Sequence, residues 1–163
     1  MTIAMKHILL SIMILSSLFT GSSRNVKVYK GSSRYSSDII CNVKDSKVYK
    51  DGSSYSNDII CNVRGNKVYK GNSSYSSDIL YTVKDGKVYK GNSTYRADIV
   101  MIIRDGKLYK GDSGYSSDVI ANVRDGKVYS GSSSYSSDVQ FSMDGNLTIE
   151  EFVAVWHAVK YAW

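Results

Sequence analysis

Proline is absent from this 163-residue chain, and only two cysteines, two tryptophans, two histidines and three phenylalanines occur in it. The lack of proline removes proline-rich stalks and linkers from consideration. His7 and His157 are isolated from each other, so they make neither a metal-ligand cluster nor a nucleophile–base pair. No phosphate-binding glycine loop, catalytic-serine elbow or paired-cysteine zinc pattern is present. Without a residue constellation for chemistry, the expectation is a protein that is not an enzyme and carries no cofactor. The only long apolar run that lacks a partner pattern is Ile8–Phe19, preceded by Lys6 and followed by Thr20-Gly21-Ser22-Ser23. That layout reads as a signal peptide or hydrophobic helical membrane anchor over residues 1–24, and hence an exported protein, secreted or anchored at the cell envelope. No Leu-x-x-Cys motif supports lipid attachment.

What is present is tyrosine, serine, glycine and lysine in a fixed order. From Asn25 the chain repeats every twenty residues, with units starting at Asn25, Asp45, Gly65, Asp85, Asp105 and Asp125. Lys-(Val/Leu)-Tyr recurs without a slip at 27, 47, 67, 87, 107 and 127. Each unit holds two short strands, and a two-residue turn such as Asp85-Gly86 joins one unit's second strand to the next unit's first. Asp-Gly between β-branched runs is a strong hairpin signal, because both central residues of a type I′ turn need positive φ. The resulting register pairs Lys84 with Lys87 and Val83 with Val88, which puts Ile79, Tyr81, Val83 and Val88 on one apolar face. The same reading puts Ile39, Cys41, Val43 and Val48 together, and likewise Ile99, Met101, Ile103 and Leu108. A lone hairpin is marginal in water, so these faces must converge on something.

The C-terminal stretch supplies it. Thr148 and Glu151 have the spacing of a capping box, and Leu147 is placed to staple onto Phe152, so a helix begins here. Ile149, Phe152, Val155, Trp156, Val159 and Trp163 share one broad helical face, the expected core plug. At ~1.5 Å per residue the rod is roughly 24 Å long. The predicted organisation is a leader over 1–24, a six-repeat β-hairpin domain over 25–144, and a helix over 145–163 packed in the β-shell. The fold class is mainly β: hairpin repeats in a flower-like or barrel-like shell with an apolar helix as plug.

The serial Lys-Val-Tyr-Lys-Gly-Asn-Ser-Ser-Tyr-Ser-Ser-Asp-Ile-Leu unit, closed by Leu-Thr-Ile-Glu-Glu-Phe-Val-Ala-Val-Trp, resembles the bacterial β-flower families. The resemblance covers nearly everything after Arg24 and implies hairpin petals forming a shell with an apolar interior. It implies no activity, and fold alone does not assign one.

Three repeated features are candidates for binding. The net charge of +6 and pI near 9.2 favour anionic partners. Basic residues gather at the turns, as Lys44 with Lys47, Arg64 with Lys67, Lys84 with Lys87, Arg104 with Lys107 and Arg124 with Lys127. Such tips keep strand edges soluble, or they suit an anionic membrane surface; the leading functional expectation is a non-catalytic binding or structural module of the bacterial cell envelope that uses them against such a surface. The tyrosines at 35, 55, 75, 95, 115 and 135 are expected to pack between petals; the alternative is a stacking ladder for sugars or bases, and with it carbohydrate or wall-polymer binding as the second functional reading. The aspartates at 38, 58, 78, 98, 118 and 138 are expected to accept backbone N–H groups in their turns, with a cation-binding ring as the other reading. Cys41 and Cys61 read as buried thiols in equivalent core positions. Asp144-Gly145-Asn146 before Glu150-Glu151-Phe152 superficially resembles a calcium loop but reads better as a turn and helix cap. Nucleic acid is a poor candidate partner for an exported protein, and oligomeric state is not legible.

Overall fold

In the computed structural model, which describes residues 25–162, twelve antiparallel strands close into a barrel. They are β1 (Val26–Lys30), β2 (Ile39–Lys44), β3 (Lys47–Lys50), β4 (Ile59–Arg64), β5 (Lys67–Lys70) and β6 (Ile79–Lys84), then β7 (Lys87–Lys90), β8 (Ile99–Arg104), β9 (Lys107–Lys110), β10 (Val119–Arg124), β11 (Lys127–Ser130) and β12 (Val139–Met143). A single helix, α1 (Ile149–Tyr161), follows. The expected leader and Trp163 lie outside the described residues.

The strands form hairpins in the expected register: Lys84 faces Lys87, Val83 faces Val88 and Thr82 faces Tyr89. At Asp45-Ser46, Asp85-Gly86, Asp105-Gly106 and Asp125-Gly126 both turn residues have positive φ, as a two-residue primed turn requires. Closure comes from β1 pairing with β12, where Val28 faces Met143 and Lys30 faces Phe141. Here no turn joins the strands. Asp144 takes over, accepting the Lys27 N–H at 2.6 Å on its carboxylate and donating its own N–H to the Lys27 carbonyl at 3.1 Å. With the ring shut, no strand keeps a free edge.

Every second strand carries a bulge. Val68 faces Tyr81 but Tyr69 faces Ile79, so Leu80 is skipped; Ile40, Ile60, Val100, Ile120 and Gln140 are skipped in the same way. The extra residue inverts the alternation beyond it. Ile39, Ile59, Ile79, Ile99 and Val119 therefore share the outer side with Tyr29, Tyr49, Tyr69, Tyr89 and Tyr109, contrary to the inward placement expected from strict period two. Ile40, Ile60, Leu80 and Ile120 pack against the interior core instead.

That outer side is a layer of its own, because the long connections fold back on the wall. Asn62 donates its amide to the Gly71 and Ser73 carbonyls at 2.8 and 2.9 Å, and Asn122 does the same to Gly131 and Ser133. The Thr82 hydroxyl bonds the Gly91 carbonyl at 2.8 Å. Asn42 departs from this pattern: its amide goes to Asn25, and its Oδ1 is buried with no partner. Its connection is also the one where Asp51, at φ 52°, holds the left-handed position that Gly31, Gly71, Gly91, Gly111 and Gly131 hold elsewhere. A Cβ is disfavoured in that conformation. Asp51→Gly is thus expected to stabilise the protein by about 0.5–1 kcal/mol, read as a higher urea midpoint; an unchanged or lower midpoint would contradict it.

Inside the barrel, α1 is off-centre, lying against β2, β3, β4 and β5. The inward positions 41, 61, 81, 101, 121 and 141 carry Cys, Cys, Tyr, Met, Ala and Phe. The two small cysteines let the helix backbone come close, and the Cys61 thiol lies 3.4 Å from the Ala154 carbonyl. Phe152, Val153, Ala154, Val155, Trp156 and Ala158 are buried, whereas Ile149 and Val159 are only partly so. The buried arc is therefore turned toward Val153, Ala154 and Ala158 relative to the face expected from the sequence. The cause is the approach to the cysteine side of the barrel, which favours small residues. The cap forms as its spacing requires, with the Glu151 N–H bonded to Thr148 Oγ1 and the Glu151 carboxylate to the Thr148 N–H. The Ser46 hydroxyl adds a bond to Glu151 Oε1 at 3.1 Å, tying a hairpin tip to the helix start.

Candidate functional site

The meander gives the barrel two unlike ends. At one are the two-residue tips and the start of α1; at the other are the long connections and the end of α1. Cations outnumber acids at the tip end, while the two are balanced at the loop end.

At the tip end the expected cationic pairs face each other: Lys44 with Lys47, Arg64 with Lys67, Lys84 with Lys87, Arg104 with Lys107 and Arg124 with Lys127. The arginines turn back along the outer wall. The Arg104 and Arg124 guanidinium groups lie 5.2 and 5.1 Å from the Tyr109 and Tyr129 ring centres, and Arg64 bonds the Asn62 side chain. Stacked guanidinium is weakly hydrated and gains from the ring face. Arg64, Arg104 and Arg124 are nonetheless exposed, as are Lys44, Lys84 and Lys107, whereas Lys47, Lys67, Lys87 and Lys127 are half-buried.

The loop end is built six times over. In each connection a serine hydroxyl donates to the aspartate five residues on, Ser33 to Asp38 through Ser133 to Asp138, each at 2.5 Å. The same serine oxygen accepts the tyrosine N–H two residues on, at 3.1–3.2 Å. The tyrosine carbonyl then receives the aspartate N–H at 3.0 Å, closing a tight 3₁₀ turn. The aspartates therefore act in turn geometry, but through a serine hydroxyl where backbone N–H groups were expected. Among the described residues no three acidic, histidine or cysteine side chains converge into a metal site.

This relay fixes the backbone of Tyr35, Tyr55, Tyr75, Tyr95, Tyr115 and Tyr135 and leaves their rings between 73% and 78% exposed. The expectation that they pack between petals is overturned. The repeat's other tyrosine, the Tyr29 type, is the one packed against the outer wall. Large exposed aromatics recurring at one position are far less ordinary than scattered surface apolar atoms.

Just inside this end are the residues that face positions 41, 61, 81, 101 and 141: Lys50, Lys70, Lys90, Lys110 and Lys30, with Ser130 opposite Ala121. Partners in antiparallel register share a face, so these exposed lysines form an inner collar. Sequence reading missed it because the lysines look like any surface charge until closure puts them around one mouth. The C-terminal carbonyls of α1 emerge there, and cations complement that end of a helix dipole.

The remaining candidates have structural roles. Cys41 and Cys61 are buried and unpaired; burial pushes the Cys61 thiol up to about 12 and Cys41 higher still. Both are thiols at neutral pH, and thiolate is the reactive form. A maleimide is therefore expected to label neither cysteine in the folded protein at pH 7.5 and both after unfolding in urea; rapid native labelling would contradict the burial. His157 pairs with the Tyr81 hydroxyl at 3.1 Å and is held below the ordinary imidazole range by desolvation. Asp144 closes the β1–β12 junction and Glu151 caps α1, so the calcium-like spelling has no ligand set.

A family model described as 6-fold beta flower protein matches residues 28–156. No curated protein and no solved structure matches.

Proposed function

The chain belongs to the 6-fold beta flower proteins, not a known enzyme family, and from that premise we propose that it is a non-catalytic module that binds a repeating carbohydrate or wall polymer through its loop end. The observation that carries this is the set of six exposed tyrosines on six equivalent connections. A tyrosine ring offers a rigid apolar face for a sugar and a hydroxyl for its edge, at low entropic cost. Six copies around one closed rim answer to a ligand that also repeats, since weak contacts then add as avidity, worth 10²–10⁴-fold. The signal-like Lys6 and Ile8–Phe19 run supports export to the envelope, where such polymers are found. No described helix is long and apolar enough to cross a membrane.

An array of neutral and anionic polysaccharides tests the reading. Any one Tyr→Ala change at 35, 55, 75, 95, 115 or 135 is expected to cost less than about ten-fold, and all six together at least about 100-fold. Their exposure means the melting temperature stays near that of the parent. A blank array, or full binding by the six-fold variant, would reject the proposal.

The excess of cations at the tip end favours a second reading, contact with an anionic membrane surface through Lys44, Lys47, Arg64, Lys67, Lys84, Lys87, Arg104, Lys107, Arg124 and Lys127. Each basic residue near such a surface contributes ~1 kcal/mol. Sedimentation with phosphatidylserine-containing vesicles should fall when these lysines become glutamate; equal sedimentation with neutral vesicles would exclude it.

A further inference from the structure

The off-centre helix leaves space on its far side. A cavity of about 510 Å³ lies between α1 and the wall from β6 to β10, a volume in the range of small-ligand sites. Its lining is aliphatic and aromatic: Leu80, Val88, Met101 and Ile120 from the wall, Val153 and Trp156 from the helix. Three residues with polar groups border it, Lys90, Tyr81 and Tyr161. Tyr81 and Tyr161 both contact His157, the first through its hydroxyl and the second through its ring, whereas Lys90 is exposed at the mouth, beside Val100, itself 39% exposed.

The space follows from the sequence of the inner wall. Cys41 and Cys61 draw the helix to one side, and the space is left on the other, against Met101 and Ile120. The bulges at Leu80, Val100 and Ile120 turn three apolar side chains toward this one mouth. An apolar cavity open to water at a cationic collar is complementary to an alkyl chain ending in an anion.

We propose that this cavity binds one long-chain fatty acid, its alkyl chain against Leu80, Val88, Ile120, Val153 and Trp156 and its carboxylate at the Lys90 ammonium. The site goes beyond polymer binding and does not require it, since a free monomeric acid needs only the cavity and its mouth. An apolar chain gains about 0.8 kcal/mol per buried methylene, close to four-fold in affinity. The carboxylate selects the mouth, where Lys70 and Lys110 stand on either side of Lys90 in the collar.

The test is calorimetry of the full chain with saturated fatty acids of increasing length, each below its critical micelle concentration, alongside the matching alcohols. One acid per chain is expected, tightening by up to about four-fold per methylene and levelling off once the cavity is full. Lys90→Glu should weaken the acid at least ten-fold and leave the alcohol unchanged; Ile120→Trp, which fills the cavity, should abolish both. Circular dichroism and melting of the two variants establish that they fold. Absence of binding, a gain that never levels off, or equal effects of Lys90→Glu on acid and alcohol would overturn the proposal. So would binding unaltered in a folded Ile120→Trp protein, or concentration-dependent self-association in place of acid binding. A blank polysaccharide array with intact fatty-acid binding would reject the polymer reading alone.

Discussion

Phe152→Ala is expected to lower the stability by about 3–5 kcal/mol, the range for removing a large aromatic side chain from a core that cannot collapse around the gap. Phe152 is fully buried, with its ring 6.5 Å from those of Phe141 and Trp156. It belongs to the one segment among the described residues that enters the barrel, and the closed β-wall cannot close in on the void as a loose helix bundle would. A domain with about 5–15 kcal/mol of net stability would lose a large part of it. Equilibrium urea unfolding measures this directly, and a loss below about 1 kcal/mol would mean that the helix is not the core of the barrel. Ending the chain at Gly145 is the stronger form of the same experiment. The interior valines and Leu108 would then face water, and the product is expected to aggregate or melt without cooperativity. A monomeric, equally heat-resistant product would show that the hairpins stand without their helix.

Gly86→Ala should cost far more than Gly65→Ala, although both glycines sit in equivalent tips with positive φ. A Cβ at Gly86 would stand 2.7 Å from the Ile103 carbonyl oxygen of the neighbouring hairpin, while one at Gly65 meets nothing within 4 Å. Both changes carry the left-handed penalty of about 1–2 kcal/mol. Only at Gly86 must a backbone atom move as well, and the Ile103 N–H to Gly86 carbonyl bond at 2.7 Å holds that atom in place. A further loss of about 1–3 kcal/mol is expected there, from denaturation midpoints at matched m-values. Equal losses at the two sites would refute the close approach between neighbouring tips.

The candidate surfaces were legible to different degrees. The tip pairs followed from turn chemistry, since Asp85-Gly86 sets which lysines oppose. The tyrosines at 35, 55, 75, 95, 115 and 135 were visible as a repeat, but their exposure was not, because a repeat cannot say which of its two tyrosines takes the space on the wall. Tyr29 and its equivalents take it. The Ser33–Asp38 relay was missed for a local reason: an aspartate in a turn can accept from a hydroxyl or from a backbone N–H, and the direction of the connection decides between them. The lysine collar and the cavity were invisible, because each depends on residues from several repeats facing one axis.

By itself the sequence determined the twenty-residue unit, the hairpin register, the primed turns, the helix start at Thr148 and the need for an apolar interior. All of these depend on neighbours within about twenty residues, through turn conformation, side-chain alternation and capping. Tertiary structure decided the closure of β1 on β12, the bulges that turn Ile79 outward and Leu80 inward, and the displacement of α1 toward Cys41 and Cys61. Those features come from satisfying all the strands at once. A ring must curve and leave no edge unpaired, and a helix inside it moves to whichever side has the smallest side chains.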